Sequence, residues 1–310
     1  MTSRAVQYAR YGGPEVLEIV EREDPQPGPG QVRLAVRAAS VNPIDWKLRS
    51  GAMASTDAPG KPVIGGVDVA GTVEAVGEGV TAFAEGDEVL GRASGGAYAE
   101  KALADVDGLT AKPAGVAWEV AGSLPVVVTT AYRGLALLGL GADDDTAGKV
   151  LVVTGASGGV GVVATQLAVA RGVTVIGSAS ERHQDDVKAL GATPVVYGEG
   201  FADRVRAVTD HVDAALDTAG KGDLGDLVAL TGSADRVLTI ADYAGAQEHG
   251  VRFSSGGDGE VEGALADFVE HLAAGDHRAP EVVVYPLEQA AQAQEDNRTG
   301  AVSGKLVLTP

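Results

Sequence analysis

Residues 149–171 read KVLVVTGASGGVGVVATQLAVAR. Lys149–Thr154 (KVLVVT) is a short aliphatic run without polar alternation, the pattern of a strand buried on both faces. Val162–Arg171 reads as a helix. Between them lies the loop Gly155–Gly161 (GASGGVG). A glycine turn that leaves a buried strand and opens a helix lets the backbone approach a pyrophosphate, with N–H groups and the helix N-terminus facing its charge. Ala156 stands where the first glycine of that motif is usual, so the strict pattern is A-x-G-x-x-G. Gly161 lets the helix pack closely on the strand. An ordinary glycine-rich strand-to-helix turn is the competing reading, and the surrounding sequence weighs against it.

Moving outward, Val173–Ala179 (VTVIGSA) reads as a second strand. Helical segments at Asp185–Leu190, Phe201–Thr209 and Leu224–Leu230 then alternate with strands at Pro194–Tyr197, Val212–Asp217 and Arg236–Ile240. Such alternation predicts an α/β fold with a doubly wound parallel sheet. Upstream, Glu119–Leu140 is apolar and helical in composition, with a break expected at Pro125.

The first third reads differently. Gln31–Ala39 (QVRLAVRAA) alternates polar and apolar residues, and Arg4–Tyr8, Leu17–Glu21, Asp68–Val76, Glu88–Gly91 and Tyr98–Leu103 are further short strands. Asp24–Gly30 (DPQPGPG) and Gly77–Val80 (GEGV) are turns. This predicts an antiparallel barrel or sandwich. The tail adds a helix at Glu262–Ala274 and strands at Glu281–Tyr285 and Lys305–Thr309. Ser254–Gly263 (SSGGDGEVEG) reads as a loop.

Composition narrows the function. The chain of 310 residues has 24 basic and 43 acidic side chains, a formal charge of −19. Nucleic acid and anionic membrane surfaces are poor partners for it, because both need clustered Lys and Arg. With no cysteine, disulfides, thiol nucleophiles and thiolate metal sites are excluded. No signal-like N-terminus and no run of about 18 apolar residues is present, so the expected address is the cytoplasm.

The end of the second strand bears on which dinucleotide binds. A carboxylate there suits the ribose hydroxyls of NAD; small residues and a cation suit the 2′-phosphate of NADP. The chain reads Ser178, Ala179, Ser180, Glu181, Arg182. The hydroxyls of Ser178 and Ser180 and the guanidinium of Arg182 favour NADPH. Glu181 is the alternative, as an acceptor for a ribose hydroxyl.

Eight segments in order resemble the zinc-free quinone oxidoreductase branch of the medium-chain dehydrogenase/reductase superfamily. They are Val41–Gly51 (VNPIDWKLRSG), Gly66–Val76 (GVDVAGTVEAV), Gly86–Gly91 (GDEVLG), Leu124–Tyr132 (LPVVVTTAY), the loop Gly155, Ala156, Ser157, Gly158, Gly159, Val160, Gly161, then Leu216–Gly220 (LDTAG), Arg236–Asp242 (RVLTIAD) and Gly304–Thr309 (GKLVLT). The resemblance implies a GroES-like, mainly antiparallel β-barrel domain over residues 1–123, a Rossmann NADPH-binding domain over 124–261 and a C-terminal return to the first domain over 262–310. It also implies a cofactor cleft between the domains and a homodimer. By the same resemblance Tyr197 contacts the adenosine 2′-phosphate, Thr130 lies beside the nicotinamide, and Ile240, Ala241 and Asp242 run along its nicotinamide half. A surface aromatic at a strand end is the plainer reading of Tyr197.

Matched to the zinc enzymes of the superfamily, Asn42, Val67 and Val126 stand at the zinc-ligand positions. Valine donates no lone pair, and the five histidines have no ligand spacing, so no metal is expected. Hydride transfer to a quinone or α,β-unsaturated carbonyl then becomes the favoured chemistry, since charge moves to a distant oxygen that hydrogen-bond donors can hold. Asn42 is the candidate donor, in a segment read as a loop together with Asp45 and Lys47; a turn residue before Pro43 is its other reading. Trp46 and Lys47 stand where quinone reductases often carry a tyrosine. An enoyl thioester substrate and a non-catalytic NADPH-binding sensor or structural protein are the alternatives. A short-chain dehydrogenase is not supported, since no tyrosine is followed by lysine at Tyr-x-x-x-Lys spacing.

Overall fold

The computed structural model describes residues 1–310. The chain forms two compact units, one of 1–126, 265–276 and 281–310, the other of 127–264 and 277–280.

In chain order the first unit begins with β1 (Thr2–Tyr8), β2 (Glu18–Glu23), β3 (Gln31–Ser40), α1 (Pro43–Arg49), β4 (Val63–Ile64), β5 (Asp68–Val76), β6 (Glu88–Arg92), β7 (Lys101–Asp105), β8 (Leu109–Ala111) and α2 (Trp118–Ser123). Helix α3 (Pro125–Leu137) follows. The second unit contains β9 (Val150–Thr154), α4 (Gly159–Ala170), β10 (Thr174–Ala179), α5 (Gln184–Ala189), β11 (Thr193–Val196), α6 (Phe201–Arg206), β12 (Ala214–Asp217), α7 (Leu224–Thr231), β13 (Val237–Thr239), α8 (Tyr243–His249) and β14 (Arg252–Phe253). The tail supplies α9 (Ala264–Ala274), β15 (Val282–Pro286), α10 (Ala290–Thr299) and β16 (Lys305–Thr309).

In the first unit β2, β1 and β4 form a small sheet, and a larger one runs β15-β16-β3-β5-β6-β8, with β7 also paired to β3. Apart from the parallel pair β15–β16, these ladders are antiparallel. The alternation of β3 explains its place: Val32, Leu34 and Val36 point inward. They share a core with Val69, Val89, Leu287, Ala290, Leu306 and Leu308. The tail therefore belongs to this unit because its apolar residues complete this core. Each large aliphatic side chain buried there contributes about 1.5–3 kcal/mol.

The second unit is a six-stranded sheet in the order β11-β10-β9-β12-β13-β14, parallel throughout. The strand entered first, β9, lies inside, and successive strands add outward on either flank. That order has a switch point between β9 and β12, where the crossovers reverse direction, and ligands of such sheets bind at the carboxyl ends of the strands there. Val152, Ile176, Phe201, Val205, Ala215 and Leu227 form its core.

Among the segments that differ from the sequence expectation are two in the first unit. Residues 43–49, read as a loop, are the helix α1: Pro43 opens it, and the Asn42 N–H donates to Asp45 Oδ2 at 2.8 Å. This is the reciprocal bond of a helix N-terminus, with proline at a position where its missing N–H costs nothing. The strand expected at Tyr98–Leu103 is displaced to Lys101–Asp105, because Tyr98 and its neighbours turn back against Gly65 and Val6.

Candidate active site

The glycine loop sits at the carboxyl end of β9. Gly155 has φ +68°, and its N–H donates to Ser178 Oγ at 3.3 Å, while the Ala156 N–H donates to Ser178 O at 2.9 Å. Gly158 precedes α4. A Cβ on Gly161 would lie 2.1 Å from Gly155 O, so this position requires glycine for α4 to begin against the turn. Ser157, Gly158, Gly159 and Val160 remain accessible, whereas Ala156 and Gly161 are buried.

Ser178 was expected as an open hydroxyl. It is buried, and its side chain braces the glycine loop from beneath. Ser180 and Arg182 follow at the carboxyl end of β10; Arg182 is exposed and makes no hydrogen bond or ion pair within the chain. Glu181, next to it, is exposed too. Tyr197, about half exposed, follows β11, and its N–H reaches Ala179 O at 3.4 Å.

On the other side of the switch point, Asp217 at the end of β12 is a hub that the sequence reading did not single out. Its buried carboxylate accepts from Thr154 Oγ1 at 2.5 Å, Thr239 Oγ1 at 2.7 Å, Ala219 N at 3.1 Å and Gly220 N at 3.0 Å. One side chain thus ties together the ends of β9, β12 and β13. Its signal in the sequence was a lone carboxylate ending an apolar strand (AALD). Beyond β13, Ile240, Ala241 and Asp242 are half-buried, and Asp242 caps α8 by accepting from Gly245 N at 2.8 Å. Tyr197, Ser180, Arg182, the glycine loop and Ile240–Asp242 therefore line one edge of the sheet. They are spread over five strands, about 19 Å at the usual strand spacing. Thr130 lies half-buried on α3.

Asn42 belongs to the first unit, within a buried polar network. Its Nδ2 donates to Asp68 Oδ2 at 2.9 Å and to Ser40 Oγ at 3.2 Å, and its Oδ1 accepts from Lys305 Nζ. Both amide hydrogens are engaged, so the expectation that Asn42 offers one to a substrate is corrected: this geometry makes it an internal strut. Asp68 also accepts from Ser40 Oγ at 2.6 Å and from Val126 N at 3.1 Å, and Lys305 donates to Val41 O at 3.1 Å. Burial pushes the Asp68 carboxyl up and the Lys305 ammonium down, while their mutual attraction opposes both shifts. Asp45 Oδ2 accepts from the Asn42 N–H and from Tyr98 Oη at 2.8 Å, but Oδ1 has no partner. Burial raises this carboxyl to about 7. Helix α1 is in turn held by the tail: Arg49 Nε donates to Gln294 Oε1 at 2.6 Å, and Trp46 Nε1 to Asn297 Oδ1 at 3.1 Å.

Two family models match the chain, the alcohol dehydrogenase GroES-like domain over residues 28–129 and the zinc-binding dehydrogenase over residues 159–255. A quinone oxidoreductase of Sus scrofa is 32% identical, with 98% of this chain and 97% of that protein covered. The chain belongs to the medium-chain dehydrogenase/reductase superfamily, in its quinone oxidoreductase branch. Within the superfamily it is also similar to a 2-methylene-furan-3-one reductase of Solanum lycopersicum, 30% identical over 99% of this chain and 79% of that protein. Among solved structures, a mycobacterial protein complexed with NADPH superimposes with a TM-score of 0.84 at 28% identity, covering 99% of this chain and all of that one. An NAD-dependent alcohol dehydrogenase superimposes at 0.85 with 29% identity, over 99% of each chain. The α/β architecture and the assignment to an oxidoreductase family stand on these matches. No helix of this superfamily member is long and apolar enough to cross a membrane.

Proposed function

We propose that this chain is an NADPH-dependent reductase that delivers hydride to a quinone or an α,β-unsaturated carbonyl without a metal ion, working as a homodimer. The observation that carries the cofactor reading is the unpaired, exposed Arg182 beside Ser180 at the end of β10. A guanidinium with all its donors free suits a 2′-phosphate, and Glu181 is the residue that would serve NADH instead.

The residues fit a dinucleotide. The cradle at Gly161 tolerates no side chain, and the open backbone of Ser157–Val160 leads into the first turn of α4, a 12-residue helix. Ser180, Arg182 and Tyr197 would hold the adenosine end, and Ile240, Ala241, Asp242 and Thr130 the nicotinamide end. When bound, the nicotinamide supplies the hydride. The protein's part is to fix its orientation and to exclude water.

Zinc does not fit. Two of the three positions that match the zinc ligands of the superfamily are Val67 and Val126, and the third, Asn42, has its carbonyl oxygen on the Lys305 ammonium. No group of three or more His, Cys, Asp or Glu side chains could hold a metal ion. A fixed ammonium in this locus would repel a dication. Acceptors whose charge delocalises onto a remote oxygen need no Lewis acid, and the quinone and furanone reductases among the relatives are named for such acceptors.

The test is oxidation of NADPH and, separately, NADH, followed at 340 nm against a panel of quinones and enones with chelator present. Chelator-resistant turnover that prefers NADPH is the expected result. Preference for NADH would sink the role of Arg182 and point to Glu181. Tight NADPH binding without turnover on any acceptor would favour a sensor.

A further inference from the structure

Past the last paired residues of β10 and β11, Ala179 and Val196, the two strands part, and only the Tyr197 N–H, 3.4 Å from Ala179 O, still bridges them through the backbone. Two side chains add further donors there. Arg204, on α6, donates from Nε to Val196 O at 2.8 Å, from one terminal nitrogen to Glu199 O at 2.9 Å, and from the other to Tyr197 O at 3.3 Å and Gly198 O at 3.1 Å. One guanidinium thus gathers four consecutive carbonyls, and Tyr197 is in the middle of them. Gln184, at the start of α5, places Nε2 within 3.0 Å of Ala179 O, 3.1 Å of Ser180 O and 3.2 Å of Val195 O. Three surrounding acceptors fix that atom as the amide nitrogen. Gln184 therefore ties the end of β10 to the end of β11 just below Ser180 and Tyr197.

These bonds are short-range and local, and they lie outside the strand ladder. The sheet is complete without them, and both side chains are only half-buried. Their common effect is to hold two loops that the parallel ladder has released. A segment held through four carbonyls has little freedom to swing, so a side chain on it meets a ligand with its ordering cost already met. The flanking glycines Gly198 and Gly200 have φ of +88° and +75°. These glycines give the segment conformational freedom that the guanidinium restricts.

We propose that Arg204, supported by Gln184, is a positioning residue that sets the place of Tyr197 and so the discrimination between phosphorylated and unphosphorylated adenosine. The inference rests on the NADPH reading above. It assigns Arg204 no contact with the cofactor: its donors are occupied by the loop. Lysine cannot replace it, because an ammonium has three donors and no fork that spans four carbonyls.

The experiment is calorimetric titration of the full-length protein with 2′,5′-ADP and with 5′-AMP, for the wild type, Arg204→Gln and Arg204→Lys, with thermal melts alongside. Both variants are expected to weaken 2′,5′-ADP about tenfold, the scale of effect of a misplaced contact, with less than about a twofold change for 5′-AMP. Two further titrations complete the case: Gln184→Ala should lose part of the same preference, and Arg182→Gln should weaken 2′,5′-ADP by removing the contact itself. Full retention of the wild-type preference in both Arg204 variants, with only a lowered melting temperature, would overturn the positioning role. So would a wild-type preference in Arg204→Lys alone, since charge would then be what matters. A wild type that binds the two nucleotides equally would overturn the NADPH reading itself, and this inference with it.

Discussion

Asp45 is a carboxyl enclosed by protein, with two hydrogen bonds on one oxygen and none on the other. Loss of hydration is the largest cause of its rise to about 7, ahead of the bonds from Asn42 and Tyr98 that pull it down and the Asp68 charge that pushes it up. In the unfolded chain the same group titrates near its ordinary 3.8. Between those values the folded protein keeps a proton that the unfolded chain has released. Its contribution to stability is therefore full below about pH 4 and is lost as pH rises through about 7. Asp45→Asn cannot ionise and keeps an oxygen for the two donors. The melting temperature of the wild type relative to Asp45→Asn is expected to fall from about pH 4 to about pH 7 and to level off above it, the variant becoming the more stable at the alkaline end. A difference that stays flat with pH, or rises, would show that Asp45 is ionised in the fold throughout.

At the scale of elements, the turn between β9 and α4 makes a graded prediction about glycine. A Cβ at Gly161 would fall 2.1 Å from a backbone oxygen, one at Gly158 only 3.2 Å from the same atom. Gly158 also has an ordinary φ of −81°. Backbone cannot yield as a flexible side chain can, so Gly161→Ala must move α4 or the turn, at a cost of about 1–3 kcal/mol. Gly158→Ala should melt close to the wild type in the absence of nucleotide. Equal melting temperatures for the two variants would contradict the close packing of α4 on the loop.

The same turn shows what a sequence can and cannot disclose. Strand, glycine loop and helix were legible because each depends on neighbours within a few residues, and β5 emerged over Asp68–Val76 as read. Helix α1 was missed although its signals were present. Asn42 before Pro43, with Asp45 three residues after the cap, is a helix start, but seven residues are too few to show a period. Helix α10 (AAQAQEDNRT) was missed because it buries only Ala290, Ala293 and Gln294; its composition of helix formers and the Gly300 that ends it were the available signs. Ser178 and Ser180 looked equivalent in the chain, and only the loop folded over the first distinguishes them. The strut at Asn42 was beyond reach, since its partners Asp68 and Lys305 are 26 and 263 residues away.

For the whole molecule the deciding quantity is the charge of −19, which acts on an anionic dinucleotide before any contact forms. At about 10 mM salt the Debye length is about 30 Å, so an approaching cofactor feels most of the surface and is repelled. At about 150 mM it is about 8 Å, and only charges next to the site count, where Arg182 attracts. The association rate of NADPH, measured by stopped-flow fluorescence, should therefore rise between those two conditions. Such a trend is opposite to that of enzymes with a cationic entrance, whose association slows as salt is added. Arg182→Gln should associate more slowly than the wild type at high salt, where only the charges beside the site, Arg182 and the repelling Glu181, are still felt, and should release the cofactor faster at every salt concentration. An association rate that falls monotonically with salt in the wild type would mean that the field at the site is positive at long range. Local cations, not the excess of carboxylates, would then govern the encounter.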